Sequence, residues 1–515
     1  MARADDPMAI VYNPAALAFL PGYQLQLGSH LVLYDACVQR SGTYNSSDVL
    51  NSGSGFDSRF GYADPAADNW VNQPFPRVCR GGPPGPSPQL VFSAHPIPEL
   101  GLALGFNAPA GVGTSTWGDD DGTVTRADGV VLPTPNRYGG VNAELLLFDI
   151  SLGAGYSPIK ELAFGLTLQW GMSFVNFQTF TSAGSGPEDP AQDVRTQVQA
   201  NDLFIPAVIG SVHVVPIPQL DITAMARFTD GISADGSLNL TTGYYGTGMA
   251  GGYTPFSTTI NDVNLTSGQP WVFGLAVRYS DQRNPNGRHR DPDQAGRVSG
   301  RIEDPMVTEN FDLELDVVYQ LNAQVQDFVV TQPPGAAVDI CEGPRTAEDC
   351  AMNGPSLTAP LPPQLPLAHG WRDQILVRAG ADWNVIPGML ALRTGAHFES
   401  SGVNSTYQIH DFIPGMRLGL HLGMTFRIER FDVSIAYAHI FQFDETITDA
   451  NAGFRHVAAT GMEGVCPGAG GDTYDRNQPV VSRGCYPNGV GSVVNAGTYQ
   501  AEFNVVSLSA RYNFN

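Results

Sequence analysis

Residues 415–428 constrain the fold of this chain more tightly than any other stretch. Met416, Leu418, Leu420, Leu422, Met424, Phe426 and Ile428 fall on one face of an extended strand. Arg417, Gly419, His421, Gly423, Thr425 and Arg427 fall on the other. Successive strand side chains point to opposite sides of a sheet, so the pattern has a strict period of two. A soluble sheet of this length rarely keeps one face so uniformly apolar while placing two arginines and a histidine opposite. A membrane barrel does so routinely, because one face meets lipid and the other a polar lumen. The same alternation runs through residues 369–386, 389–400 and 431–443.

Upstream, alternation begins at Tyr23 and returns in residues 89–95, 100–107, 141–156, 162–181, 202–214, 220–240, 270–279 and 311–330, and a last strand covers 499–514. The fold class is therefore all-β: a transmembrane antiparallel barrel of about fourteen strands in seven hairpins, an even number as single-chain bacterial barrels have. Short turns (96–99, 157–161, 215–219, 386–388, 429–430) alternate with long connections (35–88, 108–139, 182–200, 243–266, 331–368, 401–413, 444–497). Only the connection 280–308 is long on the short-turn side. Residues 1–21 do not alternate and read as a separate N-terminal arm ahead of a barrel spanning 22–515.

Composition agrees. Charged residues make up only 15 % of the chain, and the 58 glycines and 39 prolines fall mostly between the alternating segments. No apolar run is long enough for a helical span. A net charge of −23 excludes a nucleic-acid-binding surface. The six cysteines lie in three close couples, Cys37 with Cys79, Cys341 with Cys350 and Cys466 with Cys485. Proximity suggests these pairings, out of fifteen that six cysteines allow. Disulfides imply an oxidising, exported setting. A signal peptide is then expected, and Met1–Asp6 is not one, so the leader has been removed or the sequence starts after it.

Three stretches resemble the FadL/TodX family of outer-membrane transporters for hydrophobic compounds. Asn13-Pro14-Ala15, just ahead of the first strand, is similar to the Asn-Pro-Ala of the family's N-terminal hatch. Residues 104–111, which include Phe106, Asn107, Ala108 and Pro109, are similar to the family's third-strand ending. Trp371, Arg378-Ala379-Gly380-Ala381 and Leu392-Arg393-Thr394-Gly395, continuing through Asp411 and Pro414 to Leu418-Gly419-Leu420, resemble its late strands. The resemblance spans nearly the whole chain. It implies a barrel closed by an N-terminal plug, here with its leading part missing. It also implies passive uptake of compounds such as long-chain fatty acids or hydrocarbons into an apolar lumen pocket, with exit through a lateral opening beside a kinked third strand. The expected setting is the outer membrane of a Gram-negative bacterium, as a monomer among lipid and lipopolysaccharide.

The site residues follow from this frame. Leu17, Phe19 and Leu20 join Asn13, Pro14 and Ala15 as plug residues. Residues 202–214 are apolar on both faces, so something apolar lies inside. Phe204 and Val208, with Val175 and Phe177 that end a polar series on residues 162–181, are either the wall of a substrate pocket or a surface packed against the plug residues Leu17, Phe19 and Leu20. Arg378, Arg393 and Arg417 on the lumen face are candidates to hold a substrate carboxylate, since arginine pairs with carboxylates bidentately. A lumen ion-pair lattice is the alternative. Asp119-Asp120-Asp121-Gly122 lacks the twelfth-position glutamate of a calcium loop, where Val130 stands, so no metal or cofactor is expected. No catalytic constellation occurs, and the chain reads as a non-enzyme. A porin for polar solutes and a non-transporting surface-binding protein are the other readings.

Overall fold

The computed structural model describes residues 1–515 apart from 4, 45–73, 110–113, 120, 126–128, 130, 183–187, 189, 191–192, 246–252, 283–303, 326, 412–414, 455–493 and 515. Its strands close into one antiparallel barrel of fourteen. In chain order they are β1 (Tyr23–Arg40), β2 (Gly85–Ile97), β3 (Leu100–Asn107), β4 (Asn142–Ile159), β5 (Leu162–Ser182) and β6 (Asp193–Ile217). Then come β7 (Leu220–Thr229, resumed as Ile232–Thr242) and β8 (Phe256–Ser267, resumed as Val272–Gln282). β9 is Glu309–Gln320 resumed as Asp327–Thr331, and β10 is Gln364–Ala368 resumed as Gln374–Ile386. The last four are β11 (Leu390–Glu399), β12 (Arg417–Ile428), β13 (Phe431–Gln442) and β14 (Gly497–Asn513). β1 pairs β14 along its length, from Gln24↔Asn513 to Arg40↔Gly497, so the sheet has no free edge in this span. Closure satisfies the backbone where no water can reach it.

Tight turns join the strands at one end, here called lower: Ile97↔Leu100, Ile159↔Leu162, Ile217↔Leu220, Ile386↔Leu390 and Ile428↔Phe431 close successive hairpins. The 283–303 part of the long lower connection lies outside the described residues. In the lower two thirds the faces sort as the alternation requires. Leu27, Leu152, Leu168, Leu422 and Leu508 are exposed on the outside. Gln24, Gln26, Thr167, Ser173, Asp221, Thr223 and Arg278 are buried on the inside.

Above this level β7 to β10 reverse the rule. All four strands are interrupted, at 230–231, 268–271, 321–326 and 369–373. In the upper segments Ile232, Ala234, Leu238, Leu240, Ile260, Val263 and Leu265 are buried on the inside. The outside carries a ladder of polar pairs: Thr241 with Ser257 (2.8 Å), Thr259 to Asn239 (2.7 Å) and Asn264 to Asp235 (2.8 Å). Polar cross-strand pairs facing outward are at home in water, not hydrocarbon. The apolar belt therefore ends at the interruptions. Aromatic rings mark that level, with Trp170 edge-on to Phe204 at 6.0 Å and Phe228 edge-on to Trp271 at 5.2 Å, as at membrane interfaces.

Two disulfides lie among the described residues. Cys37–Cys79 ties β1 to a short strand, Val78–Gly81. Cys341–Cys350 ties the strand Ala337–Glu342 to the helix Ala347–Asn353, which starts with a Thr346/Asp349 capping box. Cys466 and Cys485 lie outside the described residues.

The boundary is testable. Leu168→Arg, within the belt, should destabilise the barrel by about 2–4 kcal/mol, the usual midplane cost. Ser257→Arg, outside on the upper part of β8, should change stability by less than about 0.5 kcal/mol. Urea unfolding in lipid vesicles measures both. Equal costs would place Ser257 in lipid.

Candidate functional site: an apolar upper lumen above a buried N-terminal segment

The N-terminal segment lies inside the lower barrel. A one-turn helix, Ala9–Tyr12, leads into a 3-10 turn, Pro14–Phe19, and Asn13, Pro14, Ala15, Leu17, Phe19 and Leu20 are all buried. The wall is cut to receive them. Gly101 on β3, Gly155 on β4 and Gly165 on β5 stand in one cross-strand row, Gly101↔Gly155↔Gly165. A Cβ at these positions would sit 1.9 Å from the Leu17 carbonyl oxygen, 2.6 Å from that of Pro14 and 1.9 Å from the Ala15 nitrogen. Only glycine lets one backbone approach another this closely. Hydrogen bonds fix the register. Ala15 N–H donates to Ser211 Oγ (2.8 Å), and Thr167 Oγ1 donates to the Ile10 carbonyl (2.7 Å). Asn13 Nδ2 lies 3.3 Å from both His213 Nδ1 and Thr223 Oγ1.

Around this seat runs an ion-pair lattice. Arg278, fully buried, pairs with Asp221 (3.0 Å), Asp312 (2.8 Å) and Glu309. Arg3 pairs with Asp5 (2.7 Å), Asp382 (2.9 Å) and Asp312. Arg427 pairs with Asp304 (2.8 Å) and Asp432 (2.6 Å). The lattice corrects part of the carboxylate-anchor expectation. Arg393 is taken by Asp382 (2.6 Å) and faces Asp5 at 3.6 Å. Arg417 stands 3.6 Å from Glu399, donates to Gln442 (2.9 Å) and lies over the Phe503 ring at 4.8 Å. Protein carboxylates thus already answer both. Arg378 is exposed to the lumen instead, and it forms no ion pair among the described residues.

Higher up, the inner wall turns apolar. Val175 and Phe177 of β5 face inward, opposite Ala200 and Val198 of β6 and Leu145 and Ala143 of β4. Val198, Ala200 and Ile205 join Ile232, Ala234, Leu238, Leu240, Ile260, Val263, Leu265 and Val330 in one apolar cluster, with Val175 against it. The disulfide-linked unit contributes Val338 and Ala359. It is held inside by Thr242 Oγ1 donating to the Asp339 carbonyl (3.0 Å) and Asp339 N–H donating to Thr258 Oγ1 (3.1 Å).

Phe204 and Val208 do not line this cluster. The β5–β6 ladder slips between Asp202 and Ile205, so Leu203 and Phe204 both turn outward, at 53 % and 64 % exposure. Beyond the slip Val208 pairs with outward Leu168, and Ile205, Ala207 and Ile209 take the inner face. Asp202 causes the slip to hold. Its carboxylate accepts from Phe204 N–H (2.9 Å) and Ser233 N–H (2.8 Å) in place of ladder bonds. Trp170 Nε1 donates to the Leu203 carbonyl (2.6 Å) from outside. A bulge of this kind is invisible to a count of alternate residues.

The third strand leaves the wall beside this lining. β3 pairs β4 up to Asn107↔Asp149, and pairing resumes only at Thr114↔Glu144. No described residue pairs with Leu145–Phe148 of β4 on that side. Ala108 is buried, its N–H donating to the Pro88 carbonyl (3.1 Å) and its own carbonyl accepting from Ser87 Oγ (2.5 Å). Asn107 points inward and Pro109 is exposed. Outside the break, Phe106 stacks on Phe148 at 5.8 Å.

No protein-family model matches the sequence, and no curated protein matches it. Solved structures do match. A Pseudomonas aeruginosa FadL homologue superposes with a TM-score of 0.60 at 13 % identity, covering 99 % of this chain and 94 % of that one. The chain has the FadL/TodX fold. The P. putida toluene transporter TodX gives 0.55 at 11 % identity, covering 100 % and 96 %, and the monoaromatic hydrocarbon channel CymD gives 0.52 at 13 %, covering 99 % and 93 %. At such identities the FadL/TodX barrel is shared as architecture.

The seat yields a prediction. Gly165→Val should expel residues 9–19 from the wall, since overpacking costs about 1–3 kcal/mol, and hydrogen exchange at Ala15 should rise while the barrel stays folded. Gly210→Val, where nothing lies within 4 Å, should leave exchange unchanged.

Proposed function

We propose that this barrel carries hydrophobic compounds passively across the outer membrane of a Gram-negative bacterium. One observation carries the reading. Along β4 to β10 an otherwise polar lumen turns apolar in its upper part, and Leu147 carries that lining to the edge of β4 that no described residue pairs. A polar solute gains nothing from such walls. An apolar solute gains about 25 cal/mol for each Å² removed from water. Leaving by the break, it passes from apolar lining to lipid without returning to water.

In this scheme Val175 and Phe177 are wall residues of the capture pocket. Phe106, Asn107, Ala108 and Pro109 form the lateral opening. Residues 1–21, held through Asn13, Pro14, Ala15, Leu17, Phe19 and Leu20, act as a plug that stops solutes from running straight through the lower barrel. The matched TodX and CymD structures are a transporter and a channel, which fits a chain with no catalytic role. Lipid and lipopolysaccharide are its surroundings, and a monomer suffices for the path.

The test is saturable binding of toluene or a fluorescent long-chain fatty acid to detergent-purified protein. Val175→Asn with Phe177→Ser should weaken binding at least tenfold, because each puts a polar group where no partner waits. Phe204→Ala, on the outer face, should not change it. A folded barrel that binds neither probe would sink the proposal.

A further inference from the structure

Resting on that reading, the connection between β11 and β12 bears on how a solute is admitted from above. Residues 401–411 leave the top of β11, and Gln408, Ile409, His410 and Asp411 at their far end are all buried. His410 Nε2 donates to the Gly140 carbonyl (2.5 Å), and its ring stands edge-on to Trp117 at 4.8 Å. Gly140 lies just ahead of β4. β4 and β11 are seven strands apart in a barrel of fourteen, so the connection reaches across the lumen as a strap. It crosses above both the pocket and the break. A Cβ on Gly140 would meet the Phe177 ring at 3.3 Å and Asp411 Cβ at 3.7 Å. Lower on β4 come Ala143 opposite Phe177, Leu145 opposite Val175, and the edge at residues 145–148.

The two ends of the strap are held differently. Backbone bonds tie its base to the interruption of β10: Asn404 N–H donates to the Gly370 carbonyl (2.9 Å), and Arg372 N–H donates to the Gly402 carbonyl (2.8 Å). Farther out the holds come from side chains. Asn495 Nδ2 donates to the Gln408 carbonyl (3.1 Å). His369 Nε2 donates to Asp411 Oδ2 (2.7 Å), and its Nδ1 faces the Leu367 carbonyl at 3.0 Å. A hydrogen bond to a carboxylate is about twice as strong as a neutral one, so this pair pins the tip. Both amide atoms of Gln408 are buried with no hydrogen-bond partner among the described residues. Bulk water satisfies such an amide, which favours release of the tip.

We infer that residues 408–411 are a movable gate between the mouth and the apolar lumen, and that His369 is the residue that positions it closed. The base stays on β10 while the tip leaves Gly139 and Gly140. A solute then passes from the mouth to Phe177, Val175 and the edge of β4.

The experiment locks the gate. A Cβ on Gly139 would lie 3.2 Å from Ile409 Cβ, just under the roughly 3.5–4.5 Å that a disulfide spans. Gly139→Cys with Ile409→Cys is made in the full chain, and stopped-flow binding of a fluorescent long-chain fatty acid or of toluene is followed on detergent-purified protein. Oxidised, the double variant should bind and release the probe at least about tenfold more slowly than after reduction, at unchanged Kd, because a lid sets rates. The parent in the same reductant is the control for Cys37–Cys79 and Cys341–Cys350. Asp411→Asn and His369→Gln each weaken the pin and should speed both rates about three- to tenfold at unchanged Kd. Equal rates in the oxidised and reduced double variant, or a change in Kd alone, would overturn the gate while saturable binding left the transport reading standing. Binding of neither probe by the folded parent would remove both.

Discussion

Everything in this molecule depends on a closed ladder of backbone hydrogen bonds. A strand in hydrocarbon cannot leave its N–H and C=O groups unpaired, because no water is there to receive them. β1 and β14, the two ends of the barrel sequence, meet along their whole length to meet that demand. Once the wall is closed, each side chain has only two places to go. The interior can then be polar, charged or apolar as position requires, and it is used in all three ways. An ion-pair lattice surrounds the N-terminal segment, and an apolar lining follows above it along β4 to β10.

Breaks in the ladder are informative for the same reason. At Asp202 a carboxylate supplies the acceptors that the ladder loses, so the wall is resealed. At β3 the Ala108 carbonyl and N–H find Ser87 and Pro88, yet the opposite edge of β4 gains no described partner. Two irregularities of similar size therefore differ in kind. One is a repair, and the other leaves an edge without a partner among the described residues.

The amino-acid pattern made the strands legible, because period two is dictated by the backbone itself. It placed Val175 and Phe177 on the inner face, where they are. It misplaced Phe204 and Val208, because one bulge at residues 203–204 swaps every face beyond it and the neighbouring apolar residues fit either assignment. The glycine row could not be read at all. Gly101, Gly155 and Gly165 are unremarkable in their own strands and acquire meaning only through cross-strand register. The resumed part of β7 fails differently. Residues 232–240 alternate as well as any lipid-facing strand, and nothing local says that their apolar face looks inward.

That inversion has a consequence for where a solute first meets the protein. The resumed segment of β7 is 11 residues long. At about 3.3 Å per residue and the usual tilt of about 40°, it carries the sheet roughly 25 Å above the belt. Polar outside and apolar inside, this collar is a chimney that carries a greasy surface up through the water-rich zone over the bilayer. Under the proposed function, an apolar molecule need not cross that zone unaided, because the collar extends a lipid-like interior out to meet it.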